Sequence, residues 1–313
     1  MSIAAGEGIA ASLAVEFAGM RFQNPVFSAS GCFGWGDEYA RFWDLRRLGA
    51  LVGKAVTPQP RLGNPSVRIA ETPAGMLNAI GLQNPGPEVF LEKILPRVRE
   101  LGIPIWVNVS AFSLQEYVDL CGLLSTAPGV SAIELNLSCP NVGRGRAEFC
   151  VDPEAVSETV SACRPVCKCA LVPKLSPNTT DIAALASAAE ASGADAVSLI
   201  NTLIGMAIDV EKRRPVLGNR TGGLSGPAVK PVALRMVYEV AGAVSIPVVG
   251  IGGIACWRDA LEFLMAGASA VQVGTANFIN PLAIPQIVEG LETWLREHQI
   301  ADIREIIGAA RAG

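Results

Sequence analysis

Residues 134–141 read Glu-Leu-Asn-Leu-Ser-Cys-Pro-Asn, a thiol among polar neighbours at the end of an apolar run. Cys139 falls where a buried strand should give way to a loop, and Pro140 steers it toward extended backbone. A thiol presented there, beside Asn136, Ser138 and Asn141, is placed for chemistry rather than for packing. The wider inventory sharpens this. The 313 residues include one histidine, His298, in a charged segment near the C-terminus. A reaction needing a base near neutral pH ordinarily turns to imidazole. Here the cysteine is the candidate base.

Other chemistry-bearing residues recur at regular places. Short β-rich runs lie at 26–30, 50–55, 104–109, 132–137, 170–175, 196–201, 246–251 and 270–274. Their ends carry, in order, Ser30, Lys54, Asn108, Asn136, Lys174 and Asn201, then Gly252-Gly253 and Gly274-Thr275. A single asparagine there is explained as a turn cap, and a single lysine as a surface residue. Neither explanation covers the whole ring. An ammonium terminating an apolar strand is costly unless something anionic meets it. The glycine pairs after the seventh and eighth runs let backbone N–H groups approach a phosphate. A second glycine-rich segment, 219–226, lies in a long connection. A phosphate grip, two lysines and a ring of amides suit a large planar heterocycle bearing a phosphate, and flavin mononucleotide (FMN) fits. A lysine beside its pyrimidine edge would stabilise charge gathered on reduction.

The elements that must hold such a ring follow from the pattern between the runs. Segments such as 182–192 and 260–266 have helical periodicity and end in Gly-Ala stops. Residues 191–197 and 266–271 are the same helix-to-strand junction used twice. Eight strands alternating with helices predict an α/β fold, a (β/α)₈ TIM barrel, with chemistry at the C-terminal strand ends. We expect one FMN-binding domain over 1–313, with long covering loops; a doubly wound open sheet is the competing arrangement. Connections 57–103 and 202–245 exceed what a βα unit needs. The first, rich in Gly, Pro and Asn, predicts a small hairpin or lid before a helix near 88–100.

Composition excludes other classes. Half the residues are apolar, 17% are charged and the net charge is −4. With no basic run, nucleic acid is not an expected partner. No signal peptide is recognisable, and the most apolar region, 232–255, is broken by Arg235, Glu239 and glycines. No membrane association is therefore expected. Eight cysteines in such a chain read as reduced thiols of a cytoplasmic protein. Cys163, Cys167 and Cys169 lack a familiar zinc or iron–sulfur spacing and are expected to pack, with no metal site. Cys32 is expected to pack near the flavin. Tryptophans 35, 43, 106, 257 and 294 are expected in the core or at an interface.

Five motifs in order, at 29–34, 78–84, 136–141, 174–178 and 219–227, resemble the dihydroorotate dehydrogenases, in particular class 1, which uses cysteine as base. The overall look is similar to class 1B, whose barrel subunit pairs with an iron–sulfur flavoprotein and passes electrons to NAD. The resemblance implies FMN held by Ser30, Lys54, Ala55, Asn108, Asn136, Lys174, Ile200, Gly226, Gly252, Gly253, Gly274 and Thr275. It implies dihydroorotate held by Lys54, Asn78, Ala79, Ile80, Gly81, Leu82, Asn136, Asn201 and Thr202, with Cys139 as base. Cys139 would take the C5 proton while a hydride leaves C6 for the flavin, giving orotate in pyrimidine (UMP) biosynthesis. The implied assembly is a homodimer of this chain plus the electron-transfer subunit, a heterotetramer, with FAD and a 2Fe–2S cluster only in the partner. Class 2 relatives carry serine at the base position and a membrane-associating segment, unlike this chain. Alternatives are a fumarate-linked class 1A homodimer, an FMN-dependent dihydropyrimidine dehydrogenase, a lyase using Lys54 or Lys174 as a Schiff base, and a non-catalytic scaffold.

Overall fold

The computed structural model describes residues 11–137 and 152–311. Cys139, with Ser138 and Asn141, lies outside the described residues.

Eight parallel strands form the centre: β1 Val26–Ser28, β2 Leu51–Val52, β3 Ile105–Val109, β4 Val130–Asn136, β5 Ala170–Lys174, β6 Val197–Leu199, β7 Val248–Ile251 and β8 Ala270–Val273. Each lies within or close to a run read from the sequence. Hydrogen-bonded order follows chain order from β2 to β7, then β8 and β1. The ring closes between its first two strands. Gly49 N donates to Val26 O at 2.9 Å, and Ser28 Oγ accepts from Val52 N at 2.9 Å. Closure decides against the open sheet, because it leaves no edge strands.

The strands are buried almost throughout, which suits β-branched and apolar residues covered on both faces. Helices cover the outside. Ser113, Asp152 and Asp181 cap the helices Leu114–Ser125, Pro153–Cys163 and Ile182–Ala191, each side chain accepting a backbone N–H. Gly193 and Gly267, both with positive φ, end the two helices whose stops were legible. The 88–100 helix is present as Gly86–Val89, Phe90–Ile94 and Leu95–Arg99, widening to π geometry just before Pro96. Pro96 has no N–H to give an α-helical ladder. An N-terminal hairpin, Val15–Phe17 and Met20–Phe22, packs Phe17 and Phe22 against Phe27 of β1 and Trp106 of β3.

The two long connections meet. Hairpin strands Ile69–Thr72 and Gly75–Asn78 come from the first; Leu203–Met206 and Thr221–Ser225 come from the second. Together they form one four-stranded antiparallel cover sheet, with Asn78 opposite Gly223 and Met76 opposite Ser225. The expected hairpin is thus half of a larger element. The second connection also holds a small antiparallel pair, Ile208–Asp209 with Arg214–Pro215, and the helix Lys230–Ala243.

Cys163 and Cys167 pack in the core and Cys169 against it. Trp106 is fully buried, and Trp35, Trp43, Trp257 and Trp294 pack partly buried against the same core.

Candidate active site

The C-terminal strand ends and the cover sheet enclose one cleft. Ser30, Lys174, Ile200, Asn201, Thr202, Gly226, Gly252, Gly253, Gly274 and Thr275 line it, with Cys32, Leu224, Ser225 and Gln272. Most of the strand-end ring therefore converges on a single space.

One wall is bare backbone. Gly226, Gly252 and Gly253 all have positive φ, which side chains rarely adopt. A Cβ on Gly253 would lie 2.8 Å from Lys230 N and 2.9 Å from Gly226 O. The loop after β7 thus presses against the start of the Lys230–Ala243 helix, and its small residues leave backbone open on the cleft side. Lys230 pairs with Asp259 at 2.7 Å and Glu262 at 3.0 Å, while Asp259 accepts from Ala255 N and Cys256 N. This clamp fixes the cradle from behind.

The floor is polar and buried. Glu134 lies fully buried inside β4. One of its oxygens accepts from Ser198 Oγ at 2.9 Å and Gln272 Nε2 at 2.7 Å. The other accepts from Asn108 Nδ2 at 2.7 Å and lies 3.7 Å from Lys174 Nζ. Asn108 itself is buried under the cleft rather than lining it. Its Oδ1, and Oε1 of Gln272, have no hydrogen-bond partner among the described residues. Above this floor, Asn136 Oδ1 accepts from Asn201 Nδ2 at 3.1 Å, and Asn201 Oδ1 accepts from Thr202 N at 2.8 Å.

Lys54 and Ala55 follow β2. Lys54 is half-buried and in no ion pair among the described residues. Burial, and then the nearby Arg68 charge, hold its pKa below the ordinary lysine value, opposed by Glu38 and Cys32. Burial pushes the Cys32 thiol up to about 11, against the pull of Lys174, Thr275 and Lys54. Segment 78–82 belongs to the cover sheet and the turn beyond it, and does not line the described cleft. Asn78 Nδ2 donates to Gly223 O at 3.3 Å, Asn64 Nδ2 to Ala79 O at 2.9 Å, and Asn84 Nδ2 to Leu82 O at 2.7 Å.

The sequence reading missed Glu134, Ser198, Gln272, Ser225 and Asn178. Asn178 donates to Thr202 O and accepts from Ile204 N, seating the chain after Asn201. The available signal was a polar residue in the middle of an apolar strand, as Glu134, Ser198 and Gln272 all are.

Comparison with known proteins gives a consistent picture. A family model described as dihydroorotate dehydrogenase matches residues 12–295. The chain is 54% identical over 298 residues to dihydroorotate dehydrogenase B (NAD(+)), catalytic subunit, of Trichlorobacter lovleyi, covering 95% of this chain and 98% of that one. It is 54% identical over 297 residues to the protein of the same description from Geotalea uraniireducens, covering 95% and 97%. It is 52% identical over 299 residues to that from Bacteroides fragilis, covering 96% and 99%.

Proposed function

The chain belongs to the dihydroorotate dehydrogenase family, and on that premise we propose that it is an FMN-dependent catalytic subunit that oxidises dihydroorotate to orotate. The observation that carries this reading is the cleft itself. A glycine cradle at a helix start stands at one side, and Lys174 with the amides of Asn201 and Gln272 also lines the cleft. The fit to FMN rests on three features of the residues present. The positive-φ glycines leave room where a Cβ would strike backbone, at Gly226 and Gly253, or the Ala233 side chain, at Gly252. Two buried acceptors, Gln272 Oε1 and Asn108 Oδ1, lack donors among the described residues, and such groups are costly unless a partner meets them. Lys174 lines the cleft, and its ammonium makes no hydrogen bond among the described residues.

Gly226, Gly252, Gly253, Gly274 and Thr275 would receive the phosphate; Ser30, Lys54, Ala55, Asn108, Asn136, Lys174 and Ile200 would receive the ring. When bound, FMN supplies the acceptor for the hydride leaving C6 of dihydroorotate. The chain's residues do the rest. Cys139 Sγ takes the C5 proton; Asn136, Asn201, Thr202 and the 78–82 turn hold the substrate, and Lys54 offsets its carboxylate charge. A free thiol titrates near ~8.5, so a positive charge close to it would bring a thiolate within reach of neutral pH.

The relatives' description as a catalytic subunit supports a partner. We assign it the FAD and 2Fe–2S cluster that relay electrons to NAD, in a heterotetramer built on a homodimer of this chain. We place the assembly in the cytoplasm and read this chain as a single barrel domain over 1–313. The described cysteines are free thiols, which suits a reducing compartment. No helix among the described residues is long and apolar enough to cross a membrane.

The test is direct. The purified chain should carry FMN, and anaerobic dihydroorotate should bleach the flavin band with one orotate formed per flavin. A flavin that dihydroorotate leaves oxidised would sink the proposal. Addition of the iron–sulfur flavoprotein should then confer NAD reduction. NAD reduction at full rate by the isolated chain would remove the two-subunit arrangement.

A further inference from the structure

A carboxylate in the middle of a barrel strand needs an explanation, because burying it is costly unless every lone pair is met. Glu134 is met by three donors, Ser198, Gln272 and Asn108, and Lys174 lies at 3.7 Å as a counter-charge. We propose that Glu134 is a positioning residue for the cofactor floor, an inference that rests on the FMN reading above.

Two consequences follow from its geometry. A carboxylate only accepts, so Asn108 and Gln272 must each turn the NH₂ of their amide toward it. Their carbonyl oxygens are thereby committed as acceptors, and both are buried without a partner among the described residues. Glu134 thus sets the hydrogen-bond polarity of the floor. It also offsets the Lys174 charge without using the ammonium's donors, since 3.7 Å is an ion-pair distance and not a hydrogen bond. The floor therefore offers acceptors and N–H donors at nearly zero net charge. Lys54 is in no ion pair among the described residues.

The test uses the FMN-loaded protein and readouts other than turnover: FMN affinity, flavin midpoint potential, and affinity for sulfite, which binds the oxidised ring and leaves it negatively charged. Glu134→Gln keeps the size of the side chain, removes the charge and sets an NH₂ against three donors. FMN affinity should fall several-fold because the amides lose their common acceptor. Sulfite affinity should rise about tenfold, equivalent to about 30 mV in a two-electron potential, because Lys174 is no longer offset. General loosening would weaken both. Glu134→Asp retains the charge and should keep sulfite affinity within about threefold of wild type. Removing both charges, in Glu134→Gln with Lys174→Met, should also return it close to wild type, and such neutral replacements of a buried pair are often tolerated. That variant carries the test if Glu134→Gln does not fold.

Unchanged sulfite affinity in Glu134→Gln, or a tenfold loss in the double variant, would overturn the inference. Wild-type protein that takes up no FMN would instead sink the parent reading, and this inference with it.

Discussion

Thr275 Oγ1 donates to Ser225 Oγ over 2.8 Å, joining the residue after β8 to the last residue of a cover strand. Both line the cleft. This contact links the end of β8 to the sheet that lies over the barrel.

If that link holds the phosphate wall together, Ser225→Ala and Thr275→Val should each weaken FMN binding about fivefold, from the ~1 kcal/mol of one hydrogen bond. The double variant should be no worse than either single one, because both remove the same contact. Titration of apoprotein with FMN, followed by fluorescence quenching, measures this. Additive losses would mean that the two hydroxyls act separately.

Gly253 carries the sharper constraint. Its φ is +74°, and a Cβ would meet Lys230 Cβ at 2.7 Å as well as two backbone atoms. None of these can withdraw without moving the helix start. Gly253→Ala should lower FMN affinity by about a hundredfold or more, through strain at a positive φ and displacement of the cradle backbone. The same titration should show it. Undiminished affinity would place the phosphate elsewhere.

How much of this was legible in the sequence depends on the distance over which each feature is determined. The barrel strands were legible because an apolar run bounded by turn residues is local. Lys174 and Asn201 were legible because strand ends in this fold face the site. The Glu134 network was not, although its carboxylate sits in the very motif that drew attention. Its acceptor role depends on Gln272, 138 residues away, and no local pattern encodes that pairing. The cover sheet escaped for the same reason, since Asn78 pairs with Gly223 across two connections that each look like a loop. Segment 78–82 is fixed mainly by hydrogen bonds to Asn64, Asn84 and Gly223, so its place follows from tertiary contacts rather than from any turn signal of its own.

Lys54 is half-buried without an ion pair among the described residues, so its charge should cost stability until an anion arrives. Lys54→Met should raise the orotate dissociation constant about a hundredfold while leaving the apoprotein's Tm at or above wild type. The pH dependence has a definite sign. The folded pKa is lowered, so the penalty for holding the proton is full below it and fades as pH rises toward the unfolded value of 10.5. The stability gap between variant and wild type should therefore close on going alkaline. Loss of Tm in Lys54→Met at pH 7 would mean that the ammonium is paired in the folded protein.

Cys32 makes the opposite demand on the solvent. Burial raises its thiol from 9.0 to about 11, so the folded protein keeps a proton that the unfolded chain has already lost. Its contribution to stability is complete below 9.0 and is lost as pH climbs toward about 11. Alkylation of Cys32 by iodoacetamide, followed by peptide mass spectrometry, should stay slow at pH 8 and accelerate only near the upper value. Cys32→Ser should flatten the alkaline fall in Tm. Rapid labelling at pH 8 would show an exposed thiolate and withdraw the packing role.

Cys139 is the residue on which the proton transfer rests. With His298 exposed at the end of the C-terminal helix, its ring bonded to Trp294 O, no imidazole is at hand to replace it. Cys139→Ala should therefore keep FMN bound and orotate affinity within a few-fold of wild type. The rate of flavin reduction by dihydroorotate should drop about a thousandfold, the scale of losing a general base. In wild type that rate should climb with pH as the thiolate forms, and the alanine variant should lose this dependence. Stopped-flow absorbance under anaerobic conditions resolves the step from product release. A variant that reduces its flavin quickly, with the wild-type pH profile, would assign the C5 proton to another group.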